Sequence, residues 1–141
     1  MKALTLIFSL LLLGGCAGGL SIDRQHPSAN HDSRVQWVVV HYTSTDVQHS
    51  LELLTRGGVS SHYLIGEAPA TIYQLVDENR RAWHAGDSQW RGRTWLNAST
   101  LGIELVNQGY ADTPAGRVWQ PYSEAQIDAL ILLLKDIVQR H

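Results

Sequence analysis

At 141 residues the chain has room for one domain and no more. Its 11 basic and 13 acidic residues give a net charge of −2, and the basic ones are scattered. That excludes the concentrated basic patch of a nucleic-acid surface, and a single cysteine excludes an intramolecular disulfide.

The chain opens with "MKALTLIFSLLLLGGCAGG", in which Lys2 precedes an apolar run from Ala3 to Leu13. The run is too short for a spanning helix, which needs roughly 20 apolar residues. A charged start, a short apolar middle and a small-residue exit read as a secretory signal. "LGGC" resembles the bacterial lipobox, in which the cysteine thiol receives diacylglycerol and the signal is cut just before it. Cys16 is then the lipidation site, and Ala17 in place of Asp resembles outer-membrane sorting. The alternative is an ordinary signal peptide with an incidental cysteine. The expected organisation is a signal over 1–15, a lipid anchor and polar tether over 16–34, and a domain over 35–141. The expected location is the outer membrane, lipid-anchored and facing the periplasm.

Val35 to His41 is a short continuous apolar run, the mark of a strand covered on both faces. In "TDVQHSLELLTRGG", Val47, Leu51 and Leu54 recur at helical spacing, and Gly57 and Gly58 supply a stop. Tyr63–Ile65 and Ile72–Val76 read as strands joined by a turn containing Pro69. Asp77 to Thr100 is polar and broken, and no element is assigned to it. "LGIELV" is a second buried strand. Ser123 and Gln126 form a capping box for the last helix, with Ile127, Leu130, Ile131, Leu134, Ile137 and Val138 as its apolar stripe. This order implies an α/β fold, a mixed central sheet flanked by helices.

Two residues stand out chemically. His41 ends a buried strand, where ligands collect in open α/β sheets; it is either a hydrogen-bonded core residue or a metal ligand. Glu104 interrupts an apolar strand. A buried carboxylate must hold a proton, find a partner or face a cleft, so it is either in a salt bridge with an arginine or a general base beside a metal-bound water. His84 lies in "RRAWHAGDSQWRGR", a candidate binding loop. His49 falls off the first helix's apolar stripe and reads as solvated.

Taken together, "VVVHYTST", "VSSHYLIGE", "TIYQLVDENRRAWHAG" and "NASTLGIELVNQG" resemble, in order and spacing, the zinc N-acetylmuramoyl-L-alanine amidases, also called amidase type 2, which are related to peptidoglycan recognition proteins. The lipidated form resembles the outer-membrane lipoproteins of that family. The resemblance implies a zinc cofactor, peptidoglycan or muropeptides as partners, and attachment to the membrane through the N-terminal lipid. It makes His41 the first zinc ligand and Glu104 the general base. Ser61, which stands where some relatives place a catalytic Tyr, is expected among the substrate-binding residues. His62 is expected to be a structural hydrogen-bonder, and His84 with Asn97 part of the peptide-stem contact surface. Relatives carry an Arg where this chain has Trp95, which leaves Arg93 as the candidate for gripping a stem carboxylate.

The family's other two zinc ligands lie downstream of the long helix, and this sequence stops at His141. The domain is therefore expected to be C-terminally incomplete. One reading is the N-terminal part of an amidase that cuts between N-acetylmuramic acid and L-alanine, inactive at this length. The other is a non-catalytic peptidoglycan-binding lipoprotein.

Overall fold

The computed structural model describes residues 20–141. The expected signal and Cys16 therefore lie outside the described residues. Residues 20–31 belong to a unit of their own and carry no strand or helix. The remainder, Asp32–His141, is an α/β unit.

Its centre is a four-stranded mixed sheet in the order β1-β6-β2-β3, where β1 is Trp37–Tyr42, β6 Thr100–Leu105, β2 Tyr63–Ile65 and β3 Ile72–Gln74. β6 pairs in parallel with both β1 and β2, while β3 closes the far edge antiparallel to β2. A parallel sheet needs cover on both faces, and side-chain alternation divides the residues between them. Leu101, Ile103 and Leu105 of β6, with Tyr63 and Ile65 of β2, point to helix α2 (Glu124–Arg140) and meet its Leu133 and Ile137. On the opposite face Leu64 and Val106 meet Leu54 of helix α1 (Val47–Arg56), flanked by the predicted Val47 and Leu51. Each fully enclosed Leu or Ile contributes about 2 kcal/mol by leaving water.

Both helices begin as their sequences dictate. The Asp46 carboxylate accepts the His49 N–H at 2.9 Å to start α1, and Gly57 ends it. The predicted capping box of α2 is present, with Ser123 Oγ accepting from Gln126 N at 3.2 Å. The inward stripe of α2, however, is rotated from the predicted one. Gln126, Leu133 and Ile137 are buried, whereas Ile127, Ile131 and Val138 are exposed. Gln126 can occupy a core position because its side-chain amide donates to the Val106 carbonyl at 2.8 Å and also closes the cap.

Two hairpins lie where no element was expected. β4 (Gln89–Trp90) pairs with β5 (Arg93–Thr94), followed by a 3₁₀ turn over Leu96–Ala98. β7 (Tyr110–Thr113) pairs with β8 (Gly116–Trp119). The third strand also stops two residues short of the expected Val76, because Leu75 and Val76 turn their N–H groups to the His62 carbonyl.

One buried carboxylate ties α2 to the sheet. Glu78, 8% exposed, accepts from the Tyr63 hydroxyl at 2.7 Å, from Arg140, and from His141 at 3.1 Å. Burial alone would raise its pKa, but the hydrogen bonds from Arg140, Tyr63 and His141 outweigh that and hold it below 4.5. A depressed carboxylate contributes stability above its unfolded value and loses it as pH falls through the folded one. Glu78→Ala is therefore expected to lower unfolding free energy by about 2 kcal/mol at pH 7. Urea titrations should show that difference shrinking below pH 4.5, the unfolded value of the group.

Candidate active site

The parallel pairing of β1 with β6 sets His41 opposite Glu104, and the pairing of β2 with β6 sets Leu64 on Glu104's other side. Residues opposite one another in adjacent strands share a face, so the imidazole and the carboxylate lie side by side on the α1 face. Both sit near the carboxyl ends of their strands, where α/β sheets open to ligands. A cavity of about 150 Å³ adjoins Glu104, lined also by Tyr42, Leu53, Leu54 and Val59 among others.

The loop after β3 brings a second imidazole into this face. His84 Nδ1 is 3.1 Å from His41 Nε2, and His84 Nε2 is 3.1 Å from Thr100 Oγ1. The ring has room because residue 102 is glycine: a Cβ there would stand 2.4 Å from His84 Cγ. The Asn97 side-chain oxygen accepts the backbone N–H of His84 at 3.1 Å and of Ala85 at 2.8 Å, which fixes the loop. His62 completes a row of three rings, edge-on to His84 at 5.8 Å as His41 is at 5.3 Å.

His62 is wholly committed to structure. Its Nδ1 accepts from Gly102 N at 3.0 Å and its Nε2 donates to the Arg80 carbonyl at 3.1 Å. Burial lowers the pKa of all three rings; His84, with His41 and His62 adding to the effect, falls to about 4. Near neutral pH the row is uncharged.

Glu104 is the opposite case. No hydrogen bond or ion pair reaches it among the described residues, and burial pushes its carboxyl up to about 7. The salt bridge to arginine considered from the sequence is not formed. A carboxyl that titrates near neutrality can take up and release a proton at low cost.

The other predicted contact residues stand apart from this pair. Ser61 is fully enclosed and its Oγ has no partner, so it presents nothing to the cleft. Asn97 spends its side-chain oxygen on the His84 loop. Arg93 is exposed on β5 with its guanidinium 5.9 Å from the Trp37 ring. Trp37 is four residues before His41, about 13 Å along the strand. Arg93 therefore belongs to the outer part of this face. An aromatic wall was missed in the sequence: Tyr42, beside the cavity, meets Trp119 of β8 edge-on at 6.1 Å, and Trp119 meets Tyr110 at 5.0 Å.

A metal site needs three convergent donors besides an open position. Among the described residues no three His, Cys, Asp or Glu side chains group in that way. His62 and His84 have both ring nitrogens engaged, and His41 retains one free nitrogen. These residues therefore do not complete a zinc ligand set.

The family model for N-acetylmuramoyl-L-alanine amidase matches residues 31–141. The N-acetylmuramoyl-L-alanine amidase AmiD of Escherichia coli K12 is 41% identical over 96% of this chain and 54% of its own length. The solved complex of Escherichia coli AmiD with the substrate anhydro-N-acetylmuramic acid-L-Ala-D-γ-Glu-L-Lys superposes with a TM-score of 0.77 at 42% identity, covering 87% of this chain and 50% of that one. Pseudomonas aeruginosa AmpDh3 in complex with anhydromuramic pentapeptide gives a TM-score of 0.75 at 37% identity, covering 87% and 53%. The chain thus spans about half the length of these relatives.

The raised carboxyl has a measurable cost. A carboxyl whose folded pKa exceeds its unfolded value stabilises the fold fully below the unfolded value and loses that contribution as pH rises through the folded one. Glu104→Gln is therefore expected to match the parent below pH 4.5 and to exceed it in stability above pH 7, by up to about 3 kcal/mol. Thermal melts at pH 4.5 and pH 8 in metal-free buffer check both arms.

Proposed function

The chain belongs to the N-acetylmuramoyl-L-alanine amidase family, and from that premise we propose that it carries the substrate cleft and the proton-transferring carboxylate of such an enzyme. The bond cut is the amide between N-acetylmuramic acid and L-alanine, in peptidoglycan or its muropeptide fragments. The observation that carries this reading is the paired placement of His41 and Glu104 at the open end of parallel strands, with Glu104 unpartnered and titrating near 7. Solved relatives holding anhydromuramic peptides on the same fold support the substrate class.

In this reading Glu104 draws a proton from the attacking water and returns it to the departing L-alanine amine. A positioned acid–base group of matched pKa contributes about 10²–10⁴-fold. The three neutral imidazoles keep positive charge away from Glu104, so its proton affinity is left to burial. Arg93 and the Tyr42–Trp119 wall bound the face on which the sugar and stem peptide would lie.

The family is zinc-dependent, and His41 is the residue we assign as one ligand. The absence of a three-ligand group among the described residues favours a second reading, binding of muropeptide without turnover. Elemental analysis after dialysis against trace zinc, combined with calorimetric binding of an anhydro-N-acetylmuramoyl tripeptide, separates the two. The expected result is zinc well below one per chain, saturable binding, and peptide release near background. One zinc per chain with peptide release, reduced at least 10²-fold in Glu104→Gln, would instead establish a working hydrolase. No binding and no release would remove both readings.

We also propose that Cys16 carries a lipid that holds the protein at the outer membrane facing the periplasm, a reading supported by the lipobox-like "LGGC". Cells fed labelled palmitate should label the parent and not Cys16→Ser, and the label should fractionate with outer membrane. Equal labelling of both would end the proposal.

A further inference from the structure

We propose that Thr100 and His84 are positioning residues, a hydrogen-bonded relay that fixes His41 in its Nε2–H tautomer and leaves His41 Nδ1 as the lone pair offered to the cleft. The relay follows from counting protons along four atoms in series. Thr100 is fully buried, and its Oγ1 lies 2.8 Å from the Leu96 carbonyl oxygen. A carbonyl has no proton, so the hydroxyl must donate there. Only a lone pair of Oγ1 then remains for His84 Nε2 at 3.1 Å, and that nitrogen must carry its hydrogen. A neutral imidazole has one N–H. His84 Nδ1 is consequently an acceptor, and the atom 3.1 Å from it, His41 Nε2, is the donor. His41 Nδ1 is left bare.

The reverse order fails at the first step. If Thr100 donated to His84, two oxygens would face each other at 2.8 Å with no proton between them. Only the order beginning at the Leu96 carbonyl places one proton in each contact. The far end of the relay is open as well. His41 Nδ1 has no partner, and it is not among the buried unpartnered side-chain atoms, which in the described residues are Arg34 Nε and Ser61 Oγ. It therefore meets solvent.

Every support of the relay is a structural feature that the amide-cutting chemistry does not otherwise use. Gly102 leaves the space His84 fills, Asn97 pins the loop that carries it, and the 3₁₀ turn presents the Leu96 carbonyl. A ring whose one N–H is fixed by a partner is oriented and made more basic at its other nitrogen. The tautomer assignment stands on hydrogen-bond geometry with His84 as a neutral ring; what His41 Nδ1 then binds rests on the amidase reading.

Long-range proton–nitrogen correlation spectra of the ¹⁵N-labelled, metal-free full chain at pH 7.5 test this. The expected spectra show His41 and His84 each as a single tautomer, with hydrogen on Nε2 and a bare Nδ1. In Thr100→Val, which keeps the shape and removes the hydroxyl, both rings should lose that bias and show mixed tautomers. Thr100→Ser should restore it. A hydrogen on Nδ1 of His41 in the parent would overturn the relay, as would an unchanged His41 in a folded Thr100→Val. Excess zinc added to the parent adds a separate arm: the parent tautomer pattern with no response at His41 Nδ1 would uphold the relay while counting against His41 as a zinc ligand.

Discussion

The site depends on the parallel pairing of β1 with β6. In that register His41 and Glu104 share a face and a height on the sheet, and neither can leave without breaking the ladder that defines the core. Because partners in adjacent strands point the same way, the opposite face of the same strands is free to be wholly apolar. Leu101, Ile103 and Leu105 fill it, and α2 covers it. One strand thus serves two purposes: its odd positions hold the fold together and its even positions hold the chemistry. Thr100, Gly102 and Glu104 are three successive even positions, and each has a distinct task toward the histidine row. A slip of one residue would exchange the two sets and destroy both the core and the site.

That arrangement places an unpartnered carboxylate and uncharged rings side by side, which a fold selected for stability alone would avoid. The rings escape the cost of burial by staying neutral and by bonding one another or the backbone. Glu104 escapes only by holding its proton to higher pH. The local sequence is consistent with this compromise. Glycine at 102 gives up side-chain packing in the middle of a central strand, and what fills the gap is the ring of His84.

Much of this was legible in the sequence, and the remainder was hidden for identifiable reasons. The apolar run spanning Glu104 is a central strand buried on both faces, as such runs read. The run ending at His41 instead forms a half-buried edge strand with Val40 and Tyr42 exposed, so apolarity located that strand but overstated its cover. The capping box at Ser123 is a local signal and forms as read. The stripe of α2 misled because Gln126 is buried through hydrogen bonds, which hydrophobic periodicity cannot register. The β4–β5 hairpin turns on Arg91 and Gly92, both at positive φ, where an Asn-Gly pair would have announced the turn. The β7–β8 hairpin is exposed along its whole length, so alternation carries no burial signal there. His84 was visible as a loop residue but not as an interior one. Its place depends on a missing Cβ eighteen positions away, a contact between segments that a one-dimensional pattern does not contain.

The two inward carboxylates of the domain separate structure from function more sharply than either does alone. Glu78 and Glu104 are the same residue type, both withdrawn from water, and their pKa values move in opposite directions. Glu78 is surrounded by donors, Tyr63, Arg140 and His141, so its charge is already spent on holding α2 to the sheet. It cannot exchange a proton near neutral pH without giving up that anchor. Glu104 has no such donor, so gaining or releasing a proton breaks no hydrogen bond of the fold, and the cost of its charge is that of burial alone. A carboxylate that a fold has satisfied is a brace, and one that it has left unsatisfied beside a cavity is free for chemistry. By that criterion the reactive end of this domain is the His41–Glu104 end, and Glu78 marks the frame that keeps it in register.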